Sequence, residues 1–360
     1  MRMRLAILAA VGCGLAWASL AHAEPQPRRL RVVGEAAGAK DPAPARFVID
    51  AVIKPGDAQF QSDVTGWFSS IPSDLGTGEI TGSCVESHCA LSVGISEGKL
   101  AISGDLAGDG APGAGRWSLK SDDDDKVVGQ GPVSFAAVSG PIDQVGQLAA
   151  ADAVSAAELG DLLLWNGSGD GPPDGDDAWP TSDEHEAMAG WQAGSGRSGT
   201  GLILVDDLAA LRDATLHAKS AAGWTVLGDK GRGWSAGYPA TLLPKTSRSG
   251  AEQRFESADG KALLVIAIEP RLSSDAFDEA FEKAKAEASG KDVQGYTRVN
   301  NDYEITIVQN KTVTREVYHN REGGLVRLDY SYPEGAETYE PFKDILVHSL
   351  IVSDELKPAS

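Results

Sequence analysis

Between residues 30 and 142 apolar side chains recur at every second position. In "CALSVGISEGKLAISGDL", Leu91, Val93 and Ile95 fall on one face, and Leu100 and Ile102 match them across the turn Ser96-Glu97-Gly98-Lys99. A period of two places alternate residues on opposite sides of a strand, so such a hairpin has one face to bury. "ARFVIDAVI" alternates in the same way, and glycines and prolines interrupt the pattern at short intervals. Many short half-buried strands must stack or close on one another, and the expectation for residues 24–142 is a β-sandwich or small barrel.

The pattern changes after residue 142. Ser155-Ala156-Ala157-Glu158 is a capping box opening the helical run "LGDLLLW". Asp206 or Asp207 is placed to cap "LAALRDATLHAKSAA", with Gly223 to end it. Between them lies a long Gly-, Asp- and Ser-rich stretch, residues 166–199, in which Thr181-Ser182-Asp183-Glu184 predicts one short helix. A loop of that length inside a domain is usually functional or disordered. Residues 143–230 therefore read as a helical segment with a long acidic loop.

From residue 231 the chain reads as a separate α/β unit to residue 354, followed by a tail, 355–360. "GWSAGYPATLL" is a strand running into a proline turn. "EQRFESADGKALLVIAIEP" is a hairpin about Asp259-Gly260. "SDAFDEAFEKAKAEASG" is a helix with Phe277, Phe281 and Ala284 on one face. Strands are expected in "YEITIVQ", "TVTREVYHN" and "LVRLDYSYP", and a last helix in "AETYEPFKDILVHSLIV". The opening "GWSAGYP", the hairpin "RFESADGKALLVIAI" and the closing "SYPEGAETYEPFKDILVHSL" resemble the PsbP-like superfamily, typified by the extrinsic photosystem II subunit. The resemblance implies an α/β/α sandwich with an antiparallel sheet for residues 231–354. The matched phrases carry no catalytic signature, and the resemblance implies a fold and little else, because members of that family do unrelated jobs, mostly as accessory or binding proteins. The whole chain is expected to be an α+β multidomain protein.

The first residues indicate the compartment. Arg2 and Arg4 precede the apolar run "LAILAAVGCGLAWASL", and "AHA" places small residues where a signal peptidase reads, so cleavage after Ala23 is expected, for a periplasmic or secreted protein. "AVGC" offers Cys13 as a lipid anchor, but it lacks the usual lipobox leucine. No later stretch is long and apolar enough for a membrane span. The net charge is −20, and −22 once Arg2 and Arg4 leave. That field repels phosphate backbones and anionic lipid, which argues against nucleic acid and leaves a cation or a basic partner. Cys84 and Cys89 are expected to join as a disulfide in an oxidising compartment, pinning a hairpin corner. A metal would need two further ligands, and only His88 is near.

"WSLKSDDDDKVVGQG" looks like the activation joint of a trypsinogen. That scheme needs a downstream protease domain with its histidine segment and Gly-Asp-Ser-Gly-Gly, and neither follows. A turn between two strands, with Asp122, Asp123, Asp124 and Asp125 at a solvated tip, is the expectation. Those four are also the cation candidates, although consecutive side chains diverge and do not fit the alternating ligands of a calcium loop. "GSGRSG" fits G-x-G-x-x-G, but the pattern predicts a strand after it, in "TGLILV", where a helix should follow. His185 in "HEAMAG" lacks the second histidine of a zinc motif.

Tryptophan beside carboxylates can stack on a sugar or hold a cation. The candidate ligand-loop residues are Trp165, Asp170, Asp174, Trp179, Glu184 and Trp191. No cofactor is expected. The functional expectation is an exported accessory or binding protein, meeting a protein or glycan partner of the cell envelope through its surface. The alternatives are a glycan hydrolase using Asp170, Asp174 or Glu184, and a calcium-stabilised binding module.

Overall fold

The computed structural model describes residues 27–37, 45–56, 61–71, 76–95, 98–106, 112–122, 126–138, 140–142, 145–173, 178–229, 231–288 and 292–357. The stretch expected to be a leader, the expected cleavage site and Cys13 lie outside them, as do Asp123, Asp124, Asp125 and Asp174.

The alternating segment becomes eight strands: β1 (Arg28–Ala36), β2 (Ala45–Pro55), β3 (Gln61–Ile71), β4 (Thr77–Val85), β5 (His88–Ile95), β6 (Gly98–Asp105), β7 (Gly113–Lys120) and β8 (Val127–Ala137). Each pairs antiparallel with the next, and β1 pairs with β8, so the sheet closes into a barrel and not a sandwich. Leu91, Val93, Ile95, Leu100 and Ile102 all point inward. The interior is packed solid around Phe47, which lies 5.1 Å from Phe68 and 6.3 Å from Phe135 between ring centroids. Outward positions such as Ser92, Lys99, Ser103 and Asp105 are exposed. This is the reverse of a lipid-spanning barrel, whose apolar residues face out.

Cys84 and Cys89 are bonded directly across the β4–β5 ladder, next to the turn at Glu86 and Ser87. Both are buried in the barrel core. The acidic run falls at the β7–β8 connection. The Ser121 N–H donates to the Lys126 carbonyl at 3.0 Å, and Asp122 is exposed.

Three helices follow: α1 (Ala156–Trp165), α2 (Ser182–Gly194) and α3 (Val205–Ala222). Ser155 caps α1, its hydroxyl accepting from the Glu158 N–H at 3.1 Å. Neither Asp206 nor Asp207 caps α3. The helix starts earlier, after Leu204, which leaves both aspartates in its first turn, where a carboxylate favours the helix dipole. Gly223 ends α3 at φ 59°. The strand expected in "TGLILV" does not form. Its backbone is held mainly by a side chain: the Gly201 N–H donates to Gln192 Oε1 at 2.8 Å, and Gln192 Nε2 donates to the Leu202 carbonyl at 2.9 Å. The only ladder contact described there is a single bridge, Leu148 to Leu204.

The helical segment packs on both neighbours. Ile142, Leu148, Leu202 and Leu204 cover Val48, Trp67 and Ile71 on the outside of the barrel. On the other side Leu164 and Trp165 meet Ile345, with Trp224 and Phe342 against them. The barrel contact also carries charge. Asp50 accepts from Arg29 Nε at 2.7 Å, Arg29 Nη2 at 2.8 Å and Arg31 Nε at 3.0 Å. The same guanidinium groups reach on to the carbonyls of Ala151 and Ala149 at the start of the helical segment.

The remainder holds two antiparallel sheets. The small one orders β18 (Ile351–Val352), β10 (Trp234–Pro239) and β9 (Trp224–Asp229). The large one runs β11 (Lys245–Ser249), β12 (Glu252–Glu256), β13 (Leu263–Glu269), β17 (Gly324–Pro333), β16 (Thr312–Arg321), β15 (Asp302–Gln309) and β14 (Asp292–Val299). On one face α4 (Ser274–Ala288) buries Phe277 and Phe281 against Tyr303 and Ile305. On the other, α5 (Phe342–Ser349) and β10 bury Leu346, Trp234 and Tyr238 against Leu328 and Tyr330. The final helix is shorter than its apolar stripe suggested. Pro341 sets its start, and after Leu350, with ψ 102°, the chain leaves the helix to form β18.

Candidate functional site

A cleft of about 540 Å³ opens where the helical segment meets α5. Its walls are α1, residues 169–173, the first turns of α2, and His348 of α5. Two glycines allow the walls to meet. A Cβ on Gly160 would lie 2.6 Å from the Gly171 carbonyl oxygen, so only a glycine in α1 lets that loop lie against it. Gly171, at φ 108°, rests on the ring of His348, where a Cβ would come within 2.7 Å of Nε2. His348 Nδ1 donates to the Asp344 carbonyl at 3.0 Å, which leaves Nε2 as the ring's acceptor.

Asp170, Asp183 and Glu186 line the cleft with exposed carboxylates. Glu184 lines it too but is buried, and its Oε2 accepts from the Thr181 N–H at 2.7 Å and the Thr181 hydroxyl at 2.5 Å. The acidic side chain that the sequence marks most clearly thus closes the capping box of α2, while its neighbours face the solvent.

The opposite side of α2 anchors it. His185 is buried against the barrel, stacked on Trp67 with centroids 6.0 Å apart and an interplanar angle of 9°. Its Nδ1 donates to the Gly201 carbonyl at 2.8 Å. Burial lowers its pKa most strongly, and the charge of Asp50 and the Gly201 hydrogen bond only partly oppose this. Asp50 goes the same way for a different reason. Burial alone would raise it, but the hydrogen bonds and charges of Arg29, with His185 and Arg31, hold it below the ordinary carboxylate value.

Of the six candidate ligand-loop residues, the cleft gathers Asp170 and Glu184. Trp165 is buried, edge to face with Trp224 and with Phe342, and Lys219 lies over its ring. It has no free face for a ligand. Trp191 is half-buried on the helical core, under Arg197. Trp179 is half-buried, and Asp174 lies outside the described residues. Among the described residues no three His, Cys, Asp or Glu side chains gather as a metal-binding set. "GSGRSG" begins at the last residue of α2, so its order is helix, turn and extended chain, and Arg197 within it pairs with Asp207. Asp183, Glu186 and His348 were not foreseen as cleft residues. The capping box marked the start of α2 and so located the two acids; nothing local pointed to His348.

No protein-family model matches the sequence, and no curated protein matches it. Among solved structures the chain is similar to the solution structure of cyanobacterial PsbP (CyanoP) from Synechocystis sp. PCC 6803. The identity is 15% and the TM-score 0.27, over 36% of this chain and 92% of that one, a partial resemblance.

Proposed function

We propose that this chain is an exported accessory or binding protein that works through its surfaces, with the cleft between α1, α2 and α5 as the contact site for a basic partner of the cell envelope. In this reading residues 231–354 form a PsbP-like unit, supported by the quoted phrases and by the layering of α4, sheet and α5. The observation that carries the proposal is the cleft itself. Three exposed carboxylates, Asp170, Asp183 and Glu186, surround a recess built by close glycine packing at the junction of two units. Exposed ion pairs contribute little singly, so binding would depend on their sum and weaken with salt. The test is retention of proteins from an envelope extract on the immobilised full chain. Retention at low salt that is lost in the triple variant D170N/D183N/E186Q supports the proposal. Retention indifferent to that variant rejects it.

A second reading is favoured by the presence of Asp170 and Glu184 in one cleft: a glycan hydrolase. Glu184 would have to release its capping contacts to act. Turnover of a glycan panel that disappears in Glu184→Gln would select this reading over the first.

A further inference from the structure

The outer face of the barrel carries a second constellation, far along the chain from the acidic loop. His88 of β5 stands directly opposite Asp105 of β6 in the ladder. Its Nδ1 donates to Asp105 Oδ1 at 3.1 Å. That contact fixes the tautomer and leaves Nε2 as an acceptor, and the Ser103 hydroxyl donates to Nε2 at 3.3 Å. The order is hydroxyl, imidazole, carboxylate, the relay by which a serine is activated as a nucleophile. Directly opposite Ser103, on β7, is Arg116. Residues paired across a ladder share a face with Cβ atoms about 5 Å apart, so the exposed Arg116 shares the outer face with Ser103 and its guanidinium has the reach to meet an oxyanion there.

The framework holds these groups on strands and not on loops. Cys89, next to His88, is bonded to Cys84 and faces inward, so the disulfide ties the β4–β5 corner that presents the imidazole. The Leu106 N–H donates to the Ser87 carbonyl at 3.2 Å, which fastens the end of β6 beside Asp105 to the same turn. Side chains on rigid elements keep a catalytic geometry better than side chains on loops. The site is open: the side chains of His88 and Asp105 are 61% and 66% exposed.

From this geometry we infer that Ser103, His88, Asp105 and Arg116 form an acyl-transfer site for small activated carboxylic esters reached from solvent. Ser103 Oγ attacks the acyl carbon, its proton passes to His88 Nε2, and the carbonyl π pair moves onto oxygen beside Arg116. The C=O bond re-forms as the bond to the leaving oxygen breaks, and His88 returns the proton to that oxygen. Water then repeats the sequence, releasing the acid and restoring the serine. Asp105 is a positioning residue that holds the ring. On so exposed a strand face, selectivity is set by the reactivity of the ester and not by its shape.

The test uses the full chain, p-nitrophenyl acetate, and a fluorophosphonate probe, in which the Ser103 Oγ–P bond forms as the P–F bond breaks. The expected result is a label mapped to Ser103, lost in Ser103→Ala and reduced at least about 100-fold in His88→Ala. Asp105→Asn should lower kcat for the acetate while leaving KM unchanged, and Arg116→Ala should lower kcat as well. A label found elsewhere, a label at Ser103 that survives His88→Ala, or acetate turnover undiminished in Ser103→Ala overturns the assignment. The three side chains Ser103, His88 and Asp105 lie on an exposed face, and an unchanged far-ultraviolet circular dichroism spectrum separates loss of chemistry from loss of fold.

Discussion

Trp165 at the end of α1 meets Trp224 at the start of β9 edge to face, with ring centroids 4.8 Å apart and planes at 89°. One ring belongs to the helical segment and the other to the small sheet, so the pair ties the two together. Trp165→Ala should cost about 3–5 kcal/mol, through lost transfer energy and the cavity left behind. Denaturant unfolding followed by circular dichroism reads this as a lower midpoint. An unchanged midpoint would show that the contact carries no weight.

The barrel contact is charged where this one is aromatic. Asp50→Ala leaves Arg29 and Arg31 buried without their carboxylate and should destabilise by about 3–5 kcal/mol. Chemical denaturation at pH 7 measures it. A loss under 1 kcal/mol would mean that water reaches the guanidinium groups once the carboxylate is gone.

His185 adds a pH dependence of its own. Its folded pKa lies below the ordinary 6.5, chiefly through burial. Above pH 6.5 both folded and unfolded states are neutral there and stability is intact. As pH falls below 6.5 the unfolded chain takes up a proton that the folded one refuses, and stability declines. Asp50, held below its ordinary 3.8, adds its own loss only at lower pH, as its folded pKa is crossed. His185→Gln should flatten the upper part of the stability profile whatever it costs at neutral pH. An identical slope in both proteins would contradict this.

Asp329 behaves in the opposite sense. It sits on the face of the large sheet beside Arg327, whose Nε lies 3.4 Å away, and opposite Glu316 on β16. Burial is the largest effect on it and Arg327 opposes, while Glu316, Glu269 and Glu252 add to the rise, which takes the carboxyl up to about 7. A raised acid stabilises the fold increasingly as pH falls through 7 and costs stability above it. Asp329→Asn, which cannot ionise, should therefore be more stable than the parent at pH 8, by up to about 4 kcal/mol, with the gap closing towards pH 4. Thermal melts at the two pH values decide it, and a constant gap would count against the shift.

The Cys84–Cys89 bond closes only a small loop, so the double variant C84S/C89S should lose only about 2 kcal/mol. Urea unfolding gives the figure. A loss of 4 kcal/mol or more would mean that the bond supports more of the barrel than the β4–β5 corner.

How far the sequence could be read depended on what each element buries. β5 and β6 were legible because Leu91, Val93, Ile95, Leu100 and Ile102 fill a closed interior. α2 was legible because Thr181 and Glu184 form a capping box. β11 was not: all five of its residues are exposed, and only its pairing with β12 makes it a strand. β9 was missed because "WTVLGD" is short, follows α3 after the single residue Gly223, and finds its partner in β10. In the cleft, Asp170 and Glu184 were recognised from loop composition, but the contact of Gly171 with His348 joins distant parts of the chain. The Ser103–His88–Asp105 arrangement was closer to view. With Ile95 opposite Gly98, the hairpin register alone puts His88 opposite Asp105.

If the acidic cleft is where this protein meets a partner, the elements that line it become protected on binding. Hydrogen exchange on the full chain, alone and in an envelope extract at low salt, tests it most directly. Added protection is expected in residues 160–173 and 183–187, fading as salt is raised. Protection confined to other surfaces, or none at any salt concentration, would contradict it.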